Sequence, residues 1–260
     1  IAGLLRRVST MALHQHARVV TVGRCMQARI VQRGYPQQRT RVIPNWPPGS
    51  VHPVPREENA FLAQHGLEDA FVVMYSGNMG LAHPFEAVLK AATYLQDSVP
   101  NAVIAFVGNG PRKEQLQAVV RERALDNVRF FPYQPFDTLA HSLSAADIHL
   151  VTMRPELEGL VVPSKLYGVL AAGRPALFLG PAGSEAAQVL HEHECGTVMP
   201  QPSGRALARE IETWHADAER REAAGRRART VVSDAASHAA TAFERTLQTC
   251  IRSRAVTSIA

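Results

Sequence analysis

The sequence predicts an α/β fold, with a mainly parallel sheet covered on both faces by helices. Three observations point to it. Short β-rich apolar runs alternate with amphipathic stretches, the connections between runs are long enough for crossover helices, and no internal repeat breaks the alternation. The 260 residues are 46% hydrophobic and 20% charged. That composition supplies a packed core and excludes a disordered or collagen-like chain.

In chain order, strands are expected at residues 17–22, 41–43, 71–75, 102–107, 128–131, 148–152 and 176–179, with a weaker one at 196–199. Between the third and fourth of these, Phe85, Val88, Leu89 and Ala92 fall at i, i+3, i+4 and i+7 and share one helix face. Leu116, Val119 and Val120 repeat the pattern in the next connection. The stretch 44–55, PNWPPGSVHPVP, holds five prolines and a glycine, which interrupt both helix and central strand. It reads as an interdomain linker. Residues 1–43 are too few for a full core and read as the tail of a preceding domain. Residues 56–202 make a complete α/β domain, and 203–260 are helical, with Leu207, Ile211, Trp214, Phe243, Leu247 and Ile251 as apolar contacts.

The formal charge is +5 and the isoelectric point about 9.4, compatible with nucleic acid, an anionic membrane surface or a phosphorylated small molecule. Much of the excess sits at Arg220, Arg221, Arg226, Arg227 and Arg229, interleaved with Glu219 and Glu222. A mixed-sign run without aromatic residues reads as a solvated helix face, and no nucleic-acid partner is expected. No apolar run approaches the roughly 18–20 residues of a membrane span. The opening IAGLLRRVST lacks the features of a signal peptide. Cys25, Cys195 and Cys250 are odd in number and widely spaced, which predicts neither a disulfide framework nor a zinc site, and suits a reducing cytoplasm.

Three loops follow expected strands, at the carboxyl edge where open α/β sheets place ligands. The first, YSGNMGLAH, carries Gly77 and Asn78, with His83 close to a helix start as a possible donor to a phosphate oxygen. An ordinary strand-to-helix turn is the plainer alternative. The second, Val107-Gly108-Asn109-Gly110-Pro111-Arg112, begins like GxGxxG but lacks the third glycine, so no dinucleotide fingerprint is supported. Arg112 reads as a solvated helix arginine. The third runs from Glu156 through Glu158, Gly159, Leu160, Val161, Ser164 and Lys165 to Gly173 and Pro175. Ser164 is expected to cap a helix starting at Lys165, with Gly173 as its C′ residue. A helix tip carrying a lysine beside the 159–162 backbone suits a diphosphate.

With VVPSKLYGVLAAGRP, YSGNMGLAH, VGNGP, NVRFFPYQP, ARVVTVGRCM and VIPNW together, the chain resembles the retaining glycosyltransferases of group 1, or family 4, with the GT-B architecture. It is most similar to their branch of colanic-acid and aminofucose transferases of bacterial surface polysaccharide synthesis. The resemblance implies two Rossmann-like domains. Residues 1–43 would be the end of the N-terminal, acceptor-side one, and the C-terminal one would hold a nucleotide-diphosphate sugar linked to UDP or GDP. By position, Glu158 matches the first acid of the family's Glu-x7-Glu signature and would orient sugar hydroxyls. Gly159, Leu160, Val161, Ser164 and Lys165 would face the diphosphate, with Lys165 as its cation. Tyr133 and Gln134 would lie beside the base, and Gly77, Asn78, His83 and Asn109 would border the cleft. The second acid falls at Gly168, two residues late. Transfer of a hexosyl group to an acceptor hydroxyl with retention is implied, with a glycan or lipid-linked glycan as acceptor, possible peripheral contact with the inner face of a membrane, and no cofactor or metal. The alternatives are an epimerase or hydrolase of the same architecture, or a noncatalytic nucleotide-sugar-binding module.

Overall fold

A computed structural model describes residues 2–233 and 235–257. The chain opens with helix α1 (Ala2–His14), then strand β1 (Val19–Thr21), helix α2 (Arg24–Gln32) and strand β2 (Thr40–Val42). Strands β1 and β2 pair in parallel as a two-stranded sheet. Sequence reading assigns both strands but neither helix, although Leu4, Leu5, Val8 and Met11 in α1 follow helical spacing. All four are exposed, so periodicity here marks a helix without marking a core.

After the proline-rich stretch the order is α3 (Ala60–His65), β3 (Phe71–Ser76), α4 (Glu86–Ser98), β4 (Ala102–Val107), α5 (Lys113–Glu122), β5 (Val128–Phe131), α6 (Leu139–Ser144) and β6 (Ile148–Thr152). Then come α7 (Lys165–Ala171), β7 (Ala176–Leu179), α8 (Glu185–Glu192), β8 (Gly196–Val198), α9 (Gly204–Ala216), α10 (Ala218–Val232) and α11 (Ala235–Thr257). The main sheet is parallel throughout, in the order β5-β4-β3-β6-β7-β8. Strand order reverses between β3 and β6. Successive crossovers therefore leave in opposite directions there, which opens a crevice at the carboxyl ends of those strands.

The central strands β3 and β4 are buried on both faces, as their continuous apolar runs require. Alternation divides them. Val73, Tyr75, Ile104 and Phe106 join α4, α9 and Trp214 on one side, while Val72, Met74, Val103 and Ala105 pack with α3 residues Phe61 and Leu62 on the other. Phe178 and Val151 anchor a third group with α7, α8 and α10. Between residues 44 and 55, Val51 and Val54 are buried, and the Val54 amide donates to Ser144 Oγ at 3.0 Å.

Gly173 takes φ +66°, its amide reaching the Leu170 carbonyl and that of Arg174 the Val169 carbonyl. This pair of bonds is a Schellman motif, which ends α7 at the expected glycine. The arginine run of α10 is a solvated face only in part: Arg226 and Arg229 are exposed, Arg226 beside Glu222 at 3.7 Å, whereas Arg220, Arg221 and Arg227 pack on neighbouring elements. Arg220 stacks over the Trp214 ring at 3.9 Å, Arg221 donates to the Trp214 and His215 carbonyls, and Arg227 donates to the Glu194 carbonyl. Long arginine side chains here carry their apolar stems across neighbouring elements and satisfy carbonyls there, so the charge pattern misread their surroundings.

Candidate functional site

Five loops converge at the carboxyl edge of the main sheet. After β3 the chain turns at Gly77, whose φ of +134° is a conformation that glycine adopts without strain. The Gly77 amide donates to the Val107 carbonyl at 2.9 Å and that of Met79 to the Asn109 carbonyl at 2.7 Å, tying the first loop to the second. Close approach explains Gly108 and Gly110. A methyl on Gly108 would run into the Gly77 carbonyl oxygen, and one on Gly110 would lie 2.5 Å from Asn78 Oδ1. The fragment of GxGxxG is thus a packing device between two loops. Asn78 and Asn109 are both exposed at this edge.

His83 is positioned differently from expectation. Its Nδ1 lies 2.8 Å from the Thr152 carbonyl oxygen and 3.0 Å from Thr152 Oγ1. A carbonyl only accepts, so Nδ1 carries the proton. Burial, followed by the charge of Lys165, pushes the imidazole down to about 4, leaving it neutral at pH 7 with Nε2 as an acceptor. Donation from His83 to a phosphate is therefore not what this geometry offers. Arg112 is likewise no solvated arginine. It is 9% exposed, donates to the His83 carbonyl at 2.7 Å and to Glu86 Oε1 at 2.6 Å, and lies over the Phe85 ring. Both groups brace the first loop.

The loop between β6 and α7 carries Glu158, half-buried, with its carboxylate lying where a methyl on Gly183 would be. The Glu158 carbonyl accepts from Arg29 Nη1 of α2 at 3.3 Å, and Gly159 is buried beneath Cys25 and Arg29. A polar cavity of about 570 Å³ opens there, lined by Arg24, Arg29, Glu156, Glu158, Gly159 and Gly183 among others. Leu160 and Val161 are 49% and 43% exposed on the same loop, but their amides both donate to the Leu157 carbonyl, at 3.0 and 3.1 Å, in a tight turn and are not free to face a diphosphate as expected. Ser164 does not cap α7. Its backbone is already helical, at φ −60° and ψ −26°, and its side chain accepts no bond. The amides that a cap would take are used instead by the Pro163 and Ser164 carbonyls, at 3.1 and 3.2 Å, in a tightened first turn.

Lys165 begins α7 as expected, yet its ammonium is covered by the Gly77 turn rather than exposed at the rim. Nζ is buried, has no hydrogen-bond partner, and sits 3.6 Å from the centroid of the Tyr75 ring. A methyl on Gly77 would be 3.0 Å from it, so the cation lies directly beneath that turn. Burial lowers the Lys165 pKa to about 7. Because α7 has only seven residues, its dipole is short and the lysine is the principal positive charge at this position. Beyond β5, Tyr133 is 55% exposed with its ring edge against Gly108, a free flat surface, while Gln134 Nε2 is tied back to the Pro132 carbonyl at 3.1 Å.

The structure thus brings Gly77, Asn78, Asn109, Tyr133 and Lys165 to one rim, and sets Glu158 and Gly159 under α2. Sequence reading overlooked Tyr75, whose place in an apolar strand run reads as core, and Arg24 and Arg29, which no local pattern distinguishes. Among the described residues, no group of three or more His, Cys, Asp or Glu side chains could hold a metal ion.

The family described as "Glycosyl transferases group 1" matches residues 57–231. The chain belongs to the group 1 glycosyl transferases. Among curated proteins, this group 1 chain is 31% identical over 192 residues to WcaI of Escherichia coli (strain K12), named for colanic acid biosynthesis, covering 73% of the chain and 47% of WcaI. It is 30% identical over 210 residues to WbjE of Pseudomonas aeruginosa, named as a glycosyltransferase, covering 80% and 52%. The chain therefore spans about half the length of these relatives. The fold is that of HepE of Anabaena, solved in complex with UDP-glucose, at a TM-score of 0.78 and 18% identity over 94% of this chain and 67% of HepE. WaaG, a glycosyltransferase involved in lipopolysaccharide biosynthesis, superposes at 0.66 and 18% identity over 85% of this chain and 61% of WaaG. The group 1 match covers the main sheet and its five loops, and stops before α11.

Proposed function

We propose that this chain carries the donor site of a hexosyltransferase that moves a sugar from a nucleotide diphosphate to an acceptor hydroxyl with retention, in the synthesis of a bacterial surface polysaccharide. The observation that carries the reading is the Lys165 ammonium, buried beneath the Gly77 turn with no hydrogen-bond partner. An isolated buried charge costs several kcal/mol, a cost that a diphosphate arriving at the same rim would offset. HepE binds UDP-glucose, which supports a uridine donor here, and a GDP-linked sugar fits the same chemistry.

In this reading the base lies against the exposed Tyr133 ring, the diphosphate lies over the Gly77–Asn78 turn above Lys165, and Glu158 orients sugar hydroxyls. The acceptor oxygen forms a bond to the anomeric carbon on the face from which the diphosphate departs, as the bond from that carbon to the diphosphate breaks, so that configuration is retained. Negative charge gathers on the departing diphosphate, so Lys165 stabilises the transition state more than the ground state. The acceptor proton leaves with the diphosphate or to solvent. A glycan or lipid-linked glycan acceptor belongs to the same proposal, as does contact with a membrane surface. No helix among the described residues is long and apolar enough to cross a membrane.

Calorimetry with UDP-glucose and GDP-mannose tests the donor site. The unsubstituted chain should bind one of them, and Lys165→Met should weaken that binding by roughly 1–3 kcal/mol, the worth of a charge-assisted contact. Equal affinity in the two proteins removes Lys165 from the site. Because the chain spans half of its relatives, a second reading is that it binds donor without transferring it. Sugar transfer that appears only with a full-length relative's N-terminal half attached would favour the transferase, and no transfer in either form the binding module.

A further inference from the structure

Tyr75 has a buried side chain at the last apolar position of β3, and it meets three parts of the site at once. Its hydroxyl donates to the Asn78 carbonyl at 2.7 Å, across the turn that contains Gly77. Its ring face lies under Lys165 Nζ, 3.6 Å from the centroid. Its ring edges meet Phe85 at 4.8 Å in a perpendicular arrangement and His83 at 5.6 Å. A core tyrosine needs a partner only for its hydroxyl, and the Asn78 carbonyl supplies one. Packing alone therefore does not account for a cation on the ring face, where Nζ has no hydrogen-bond partner.

We infer that Tyr75 is the positioning residue of the donor site, holding the Lys165 ammonium beneath the Gly77 turn by its ring face while its hydroxyl fixes the turn above. This rests on the donor reading above. A π face attracts a cation without neutralising it, so the ammonium keeps its charge for an incoming anion. A carboxylate in that place would have paired with the lysine and repelled a diphosphate. The hydroxyl and the ring act on different parts of the site, and different substitutions separate them.

The chain has only three lysines, Lys90, Lys113 and Lys165, so a protein labelled with ¹³C at lysine Cε gives three side-chain signals. Lys165 should be shifted upfield by the ring, Tyr75→Phe should keep that shift, and Tyr75→Leu should abolish it. By calorimetry with UDP-glucose and GDP-mannose, Tyr75→Leu should weaken donor binding roughly five- to thirtyfold, in the range of a desolvated cation–ring contact. Phenylalanine against progressively fluorinated phenylalanine at position 75 keeps the shape while draining the ring face of negative charge. That series should weaken binding stepwise, and it decides the matter if Tyr75→Leu fails to fold. A Lys165 signal that is the same in the unsubstituted protein and in Tyr75→Leu overturns the inference, as does a fluorination series of constant affinity. If neither nucleotide sugar binds the unsubstituted chain, the donor reading and the role built on it both fall. That outcome is told apart because the lysine shift then persists without any binding.

Discussion

Burying the Lys165 ammonium carries a cost in stability that a bound anion would offset. Lys165 is a base whose folded pKa, about 7, lies below its ordinary value near 10.5. Between those values the unfolded chain binds more protons than the folded one, so this group's contribution to stability rises with pH, and at pH 7 the fold bears the cost of burying the charge. Lys165→Met should therefore raise the stability of the ligand-free protein by roughly 2 kcal/mol in urea unfolding at pH 7, while weakening donor binding. A loss of stability would show that the lysine is structural. His149, buried in β6 with Nε2 donating to the Leu143 carbonyl at 2.8 Å, follows the same sign in another window. Burial lowers its pKa to about 4, so the stability it contributes is complete above about 6.5 and is lost as pH falls toward 4. From pH 7 to 5 that amounts to about 2 kcal/mol. In His149→Gln, which keeps a donor for Leu143, unfolding free energies at the two pH values should converge by that amount.

At the scale of elements, two serines that look alike in the sequence separate. Ser203 caps α9, its hydroxyl accepting from the Ala206 amide at 3.1 Å, whereas Ser164 accepts nothing from α7. Ser203→Ala should cost about 1 kcal/mol and Ser164→Ala should fall within about 0.5 kcal/mol of zero, a comparison that thermal unfolding of the two variants reads directly. The difference is conformational. Ser203 has the extended backbone, at φ −68° and ψ 157°, that turns a cap side chain back toward the helix, and Ser164 is already wound into it. Short range did locate α7 itself. Its first residue, Lys165, and its terminal glycine, Gly173, are both legible, because backbone preferences of single residues decide them.

Over the whole molecule, the leading β1-α2-β2 unit is fastened to the main domain through Arg24. Its amide donates to Glu185 Oε2 at 2.5 Å, and its guanidinium meets Glu185 Oε1 at 3.2 Å and Glu192 Oε1 at 2.5 Å. Glu185 is 4% exposed, so Arg24→Ala leaves a buried carboxylate short of partners and should destabilise the protein by about 1–3 kcal/mol, with protection lost first in β1 and β2 by hydrogen exchange. Uniform protection loss would mean that the two parts unfold as one. Strand placement, the parallel sheet and three of the loops at its carboxyl edge were legible in the sequence, because apolar runs in β3 and β4 and breakers such as Gly77 and Pro175 act locally. What the sequence by itself determined is therefore the α/β alternation, the ends of α7 and the residues that populate the carboxyl edge. Only the tertiary structure decided that Lys165 rests on Tyr75, that the His83 Nδ1–H donates to the Thr152 carbonyl, and that Arg29 reaches the Glu158 loop. Each of these joins residues far apart in the chain, where burial and the directions of hydrogen bonds, set by packing rather than by neighbours in sequence, fix a side chain's charge and its partner.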